Sequence, residues 1–191
     1  MSEADIKIIE GCIKGKRHAQ NKLYGKYAPL MLGVCLRYAK DKAEAEDILQ
    51  EGFIKIFLNI KSFRSEGSFE GWMKRIIINT AITHIKQNLK YQYHTDIDEI
   101  EETHIVTEET GDDESVVKIP RDQLMSIIQS LPEGYKMVFN LYVFEQLTHK
   151  EIAEILGVSV NTSKSQLSKA RKLLSTKIAK LTGNKKIAIE E

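Results

Sequence analysis

Apolar positions recur at three- and four-residue spacing through most of the chain, and the stretch from Thr148 to Leu174 carries the most informative case. There Ile152, Ile155 and Leu156 share one helical face, and Ala153 is small enough to let a crossing helix come close. Gly157 breaks the pattern because it can take the left-handed conformation that ends helices. Val158 supplies an apolar plug behind the turn, and Ser159 is placed to cap a second helix. In that helix Ser163, Leu167, Ala170 and Leu174 lie on one side, while Asn161, Lys164, Ser165, Ser168 and Lys172 lie on or beside the other. The pattern predicts a helix-turn-helix whose second helix presents an exposed N-terminal half able to enter a major groove. An ordinary helical hairpin is the alternative, but a solvated face usually mixes charge signs. Ser159 to Lys177 holds five Lys or Arg and no acid.

The remaining periodicity is helical as well. Ile6, Ile9 and Ile13 mark a first helix; Leu23, Tyr27, Leu30, Met31, Val34 and Tyr38 mark a second, with Gly15 between them and a kink or break expected at Pro29. A third has Ala45, Ile48, Leu49, Phe53, Ile56, Phe57 and Ile60 as its inner stripe and Asp47, Gln50 and Glu51 clustered outside. That polar patch is either a solvated face or a dock for a basic protein surface. From Ser62 to Gly71 the pattern lapses into a Ser- and Gly-rich loop holding Phe63 and Phe69, which either pin the loop to the core or offer π-faces to unpaired bases. A helix from Trp72 to Lys90 follows, with Arg75, Asn79, Thr83, Lys86 and Lys90 as one polar stripe, Ile76, Ile77 and Ile78 spread around the rest, and Trp72 expected in the core. Leu124, Ile127, Ile128 and Leu131 mark another helix, and Pro132 opens one carrying Val138, Phe139, Leu141 and Tyr142.

Charge changes this picture. The 191 residues sum to +1, yet Tyr91 to Val117 contains ten acids and no Lys or Arg, leaving 28 bases against 17 acids, a formal +11, on the remainder. Two basic lobes flanking an acidic, aperiodic linker point to a polyanionic partner for the lobes. Cys12 and Cys35 lie in apolar patterns without metal or redox spacing and read as buried small hydrophobes in a reducing compartment. No targeting signal and no apolar run of about 18 residues is present, so a soluble, cytoplasmic protein without membrane insertion is expected. The five His are scattered and there is no Gly-rich phosphate loop, so neither a metal, a cofactor nor an enzyme is expected.

Three blocks carry a family resemblance. AEDILQEGF (Ala45 to Phe53), SFEGWMKRIIINTAITHIK (Ser68 to Lys86) and the run LPEGYKMVFNLYVFEQLTHKEIAEILGVSVNTSKSQLSKARKLL together resemble an extracytoplasmic-function (ECF) sigma factor. The TSKSQL form of the last helix resembles a Bacteroidetes-type subgroup. The resemblance implies an all-α fold of two helical domains: sigma region 2 over 1–92 and sigma region 4 over 119–181, joined by an acidic linker over 93–118 and followed by a tail over 182–191. It implies binding to core RNA polymerase and promoter DNA, with an anti-sigma factor as a further candidate partner. By position in the family pattern, Asp47, Gln50 and Glu51 fall on the polymerase-docking face. Phe63, Phe69, Arg75, Asn79, Thr83 and Lys86 fall where the family reads and opens the minus-ten element. Asn161, Thr162, Lys164, Ser165, Ser168, Lys169 and Lys172 fall on the helix that reads the minus-35 element.

The chain departs from the family pattern in places. Thr83 stands where Asp is common, Lys86 where Arg is common, and Gln166 and Lys169 where many relatives have Arg. Lysine lacks arginine's bidentate fork, so base preference differs accordingly. A stand-alone regulator using the same helix-turn-helix is the rival reading. It would call for a sensor domain of alternating strands and helices before Pro120, and no such pattern is present. A purely structural helical adaptor does not account for the basic reading face.

Overall fold

The computed structural model describes residues 3–64, 66–92, 116–183 and 186–189, with side chains over 5–64, 66–87 and 119–183. All of the acidic stretch from 93 to 115, with its ten acids, thus lies outside the described residues. The described elements are α1 (Glu3–Ile13), α2 (Arg17–Tyr38), α3 (Lys42–Asn59) with a 3-10 turn (Ile60–Ser62), α4 (Phe69–Gln92), β1 (Val116–Ile119), α5 (Arg121–Gln129), α6 (Glu133–Val143), α7 (His149–Leu156), α8 (Val160–Thr182) and β2 (Lys186–Ile189). They form two compact units, Met1–Gln87 and Asn88–Glu191.

In the first unit, α1 ends on Gly15 at φ +69 and turns straight into α2. The two helices pass so close that a Cβ on Gly11 would stand 2.5 Å from the Ala19 Cβ. Of the three isoleucines that mark α1, Ile9 is buried beside Cys12, whereas Ile6 and Ile13 lie exposed at the rim. α2 runs unbroken through Pro29, where the sequence predicts a kink or break. Proline removes one intrahelical bond, but Leu23 and Ala28 before it and Met31, Val34, Cys35 and Tyr38 after it are all buried, and that packing outweighs the local defect. Leu30, one of the apolar residues that mark this helix, faces outward.

Helix α3 is capped reciprocally: Asp41 accepts from the Glu44 amide at 2.8 Å, and the Glu44 carboxylate accepts from the Lys40 amide at 2.6 Å. Its inner stripe is the expected one, with Phe57 only half-buried and Gly52 added to the buried set. A Cβ on Gly52 would meet the Ile77 Cδ1 at 2.4 Å, so this glycine sets the close approach of α3 and α4. Met73, Ile77, Ala81 and Ile85 form the inner face of α4, and Ile76 is only half-buried.

In the second unit α8 is the spine. Ala170 and Leu174 pack with Ile127 and Leu131, flanked by Tyr135, Phe139 and Ile178. Pro132 sits one position earlier than expected, as the N-cap of α6, where its missing N–H costs nothing. The all-α reading extends to every described element except one short parallel ribbon, β1 with β2, in register from Val116↔Lys186 to Ile119↔Ile189. This pairing joins the end of the expected linker to the expected tail. It is non-local and leaves no trace in helical periodicity.

Candidate polymerase-docking and nucleic-acid-reading surfaces

Helix α3 turns one face away from the first unit. Asp47 and Gln50 are exposed, and Glu51 is half-buried with its carboxylate 2.7 Å from the Lys55 ammonium. Two further residues continue this face at helical spacing: Ile54, 59% exposed, and Leu58, 76% exposed. Apolar side chains in line with a polar cluster make a surface suited to a partner, with charge at one end and apolar contact at the other. Sequence reasoning missed Ile54 and Leu58. Their signal is spacing, because they fall seven and eleven positions beyond Asp47, on the polar stripe.

The loop before α4 and the start of that helix form a cleft of about 500 Å³ lined by Phe63, Arg64, Glu66, Ser68, Trp72 and Arg75 among others. The aromatic residues divide their roles here. Phe69 is only 4% exposed, with its ring 6.0 Å from Tyr27, 5.6 Å from Trp72 and 5.0 Å from Phe63. The expectation of a free π-face at Phe69 is therefore corrected: as the first residue of α4 it fills the gap against α2 and anchors the loop. Phe63 stays half-buried at the cleft. Trp72, expected in the core, is also half-buried and forms the cleft wall, its ring 5.6 Å from Phe63. Arg75, Asn79 and Thr83 are exposed along one line of α4. The Thr83 hydroxyl donates to the Asn79 carbonyl at 2.8 Å, so its donor is already engaged. Lys86 is half-buried, and the Lys90 side chain lies outside the described residues.

The helix-turn-helix is built by local chemistry. Thr148 and Glu151 form a capping box at the start of α7, with the Thr148 amide donating to the Glu151 carboxylate at 2.8 Å. Side-chain and backbone hydrogen bonds from Thr148 hold the Glu151 carboxyl below its usual range. The T-x-x-E spacing carries this signal, although sequence reasoning passed over it. Gly157 closes α7 at φ +71, with its amide donating to the Ala153 carbonyl at 2.8 Å. The Ser159 hydroxyl accepts from the Thr162 amide at 2.9 Å to start α8.

Ser163, Leu167, Ala170 and Leu174 are buried, as the pattern requires. Asn161, Lys164, Ser165, Ser168, Lys169 and Lys172 are exposed, and Thr162 is half-buried with its hydroxyl 2.8 Å from that of Ser159. Gln166 turns aside: its amide nitrogen would lie 3.1 Å from a Cβ on Gly134, so it packs against α6. His149 was not singled out from the sequence. Its Nδ1 lies 2.9 Å from the Ser163 hydroxyl, and its ring stacks on Tyr142 at 4.8 Å; the Arg171 guanidinium sits 5.6 Å from the Tyr142 ring.

Among the described residues no three His, Cys, Asp or Glu come together to hold a metal, and no helix is long and apolar enough to cross a membrane. Cys12 and Cys35 are free and buried, and desolvation pushes the Cys35 thiol up to about 12.

These surfaces fall within matched family regions. Residues 23–90 match the model of sigma-70 region 2, and residues 121–174 match that of sigma-70 region 4. The chain is 30% identical over 183 residues to the ECF RNA polymerase sigma-E factor of Haemophilus influenzae, covering 93% of this chain and 96% of that protein. It is 29% identical over 181 residues to the RNA polymerase sigma-H factor of Pseudomonas aeruginosa, covering 90% and 92%. A solved structure of the sigma factor RpoE in complex with the anti-sigma factor NepR from Bartonella quintana aligns over 83% of this chain and 95% of that chain, at 18% identity and a TM-score of 0.48. With both sigma-70 regions matched in order and a relative covered almost end to end, the chain belongs to the ECF RNA polymerase sigma factor family.

Proposed function

We propose that this protein binds core RNA polymerase through the outward face of α3, directs it to promoters and helps open them, with no chemistry of its own. Asp47, Gln50 and Glu51, extended by Ile54 and Leu58, dock on polymerase. The cleft at Phe63 and Trp72, with Arg75 and Asn79 and then Thr83 and Lys86 along α4, receives the minus-ten element, while Phe69 supports the loop from beneath. Asn161, Thr162, Lys164, Ser165, Ser168, Lys169 and Lys172 on α8 meet the minus-35 element. The domains follow as 1–92 for region 2 and 119–181 for region 4, with 93–118 as the linker and 182–191 as the tail.

One observation carries the reading: a single chain holds two compact units that each match a sigma region, and one of them presents a helix-turn-helix whose second helix has no acid from Ser159 to Lys177. A cytoplasmic location follows from this role. The Bacteroidetes-type subgroup is supported by the TSKSQL sequence of α8, in which Gln166 packs inward and leaves lysines to meet DNA. The test is whether the purified protein co-elutes with core polymerase and the complex starts transcripts at discrete sites. Specific DNA binding without polymerase association would favour a stand-alone regulator.

A further inference from the structure

The first unit carries a second concave surface that none of these roles uses. A groove of about 400 Å³ runs between α1 and α2, lined by Lys7, Glu10, Lys14, Lys16, His18 and Lys22. Its floor is the crossing of Gly11 and Ala19, where the helices approach too closely for a side chain to fill the space. All six rim residues are exposed, and four are lysines against a single acid. The α2 N-terminus that opens into the groove has Lys16 as its N-cap without a side-chain cap bond, and no acid in its first turn. Lys16 caps the positive end of α2, Lys14 stands two residues before it and Lys22 follows in the second turn, so a bound polyanion would offset both their mutual repulsion and that with the helix dipole.

We infer that this groove holds the phosphate backbone of promoter DNA beyond the segment that is opened. Lysine without arginine suits point-charge contact with phosphates and cannot give the bidentate reading of bases. Position agrees with charge. Tyr27 on the same helix touches Phe69, the anchor of the opening loop. From there back to Lys16, α2 covers about 16 Å at the usual rise per residue, a span of a few nucleotides. A strand leaving the cleft therefore has the groove within reach. The inference rests on the reading of that cleft as the DNA-opening site.

The experiment uses holoenzyme assembled with the triple variant Lys14→Gln/Lys16→Gln/Lys22→Gln. Affinity for promoter DNA is measured between low and moderate salt, alongside affinity for core polymerase, and promoter opening is followed in this holoenzyme and in one carrying Asn79→Ala. The expected result is weaker binding to every promoter tested, a salt slope reduced by about 2 to 3, and unchanged core binding. An unchanged slope overturns the inference, as does a loss confined to core binding, which would assign the groove to an acidic protein surface. The two readings fail separately: if Asn79→Ala leaves opening intact while the lysine variant lowers the slope, the cleft assignment falls and the groove stands.

Discussion

The Nδ1 of His149, the first residue of α7, lies 2.9 Å from the hydroxyl of Ser163, which is buried in the first half of α8. This bond links α7 to α8 across the turn, and stacking of His149 on Tyr142 ties both to α6. The exposed face of α8 is therefore set by a polar pin as well as by apolar packing. His149→Ala removes one hydrogen bond and one stacking contact, for about 1 to 2 kcal/mol. Amide hydrogen exchange in the first half of α8 is expected to be about tenfold faster. Unchanged protection there would mean that the pin carries no load.

The α3 face predicts a polymerase-binding defect without unfolding. Asp47→Lys/Glu51→Lys should abolish association with core polymerase while helical circular dichroism is retained. Leu58→Glu should weaken it by about 1.5 to 3 kcal/mol, the gain from burying a leucine side chain against a partner. A pull-down in which the double variant binds normally would remove this face from the docking surface.

Lys164 and Lys169 stand exposed on α8. Each Ala substitution should weaken promoter binding, by about 1 to 3 kcal/mol where the lysine reads a base. Salt separates the two modes: loss of a phosphate contact lowers the salt slope and weakens all promoters alike, whereas loss of a base contact relaxes preference at one position. If neither substitution alters promoter binding, another surface reads the DNA.

Opening and mere binding can be told apart with templates. Taking a base from the stack costs a few kcal/mol, which a π-face and new hydrogen bonds offset. Phe63→Ala and Asn79→Ala should impair transcription from a paired promoter and be largely rescued on one pre-opened by mismatches. Phe69→Ala should behave differently, destabilising the first unit by about 3 to 5 kcal/mol because it empties a buried site. Equal defects on both templates for Phe63→Ala and Asn79→Ala would assign those residues to folding or docking.

The acidic stretch, outside the described residues, carries ten negative charges without a counter-charge. Such a segment suits a basic channel of the polymerase, where it would stand in for nucleic acid. Replacing its acids from Asp96 to Glu114 with Asn and Gln should leave helical content unchanged yet lower productive initiation in a run-off assay. Unchanged yield and unchanged abortive products would make the stretch a passive tether.

What the sequence determined by itself is whatever local rules decide. Helical period placed Leu167, Ala170 and Leu174 inside α8 and its lysines outside. A glycine at φ +71 and a capping serine set the turn, because both act within a few residues. The same period placed Asp47, Gln50 and Glu51 on the outer side of α3, where Asp47 and Gln50 are exposed. Tertiary structure alone decided which neighbour covers each side chain. Phe63 and Phe69 are equivalent in a loop composition, yet only Phe69 meets Tyr27 and is buried, leaving Phe63 and Trp72 to form the cleft. Ile54 and Leu58 read as apolar and are left bare because, among the described residues, no helix of their unit covers that face of α3. α2 continues through Pro29 because burial on both sides outweighs one missing bond. The His149–Ser163 pin and the pairing of β1 with β2 join positions whose proximity exists only once the chain has folded, and periodicity, being a property of neighbours in sequence, holds no record of them.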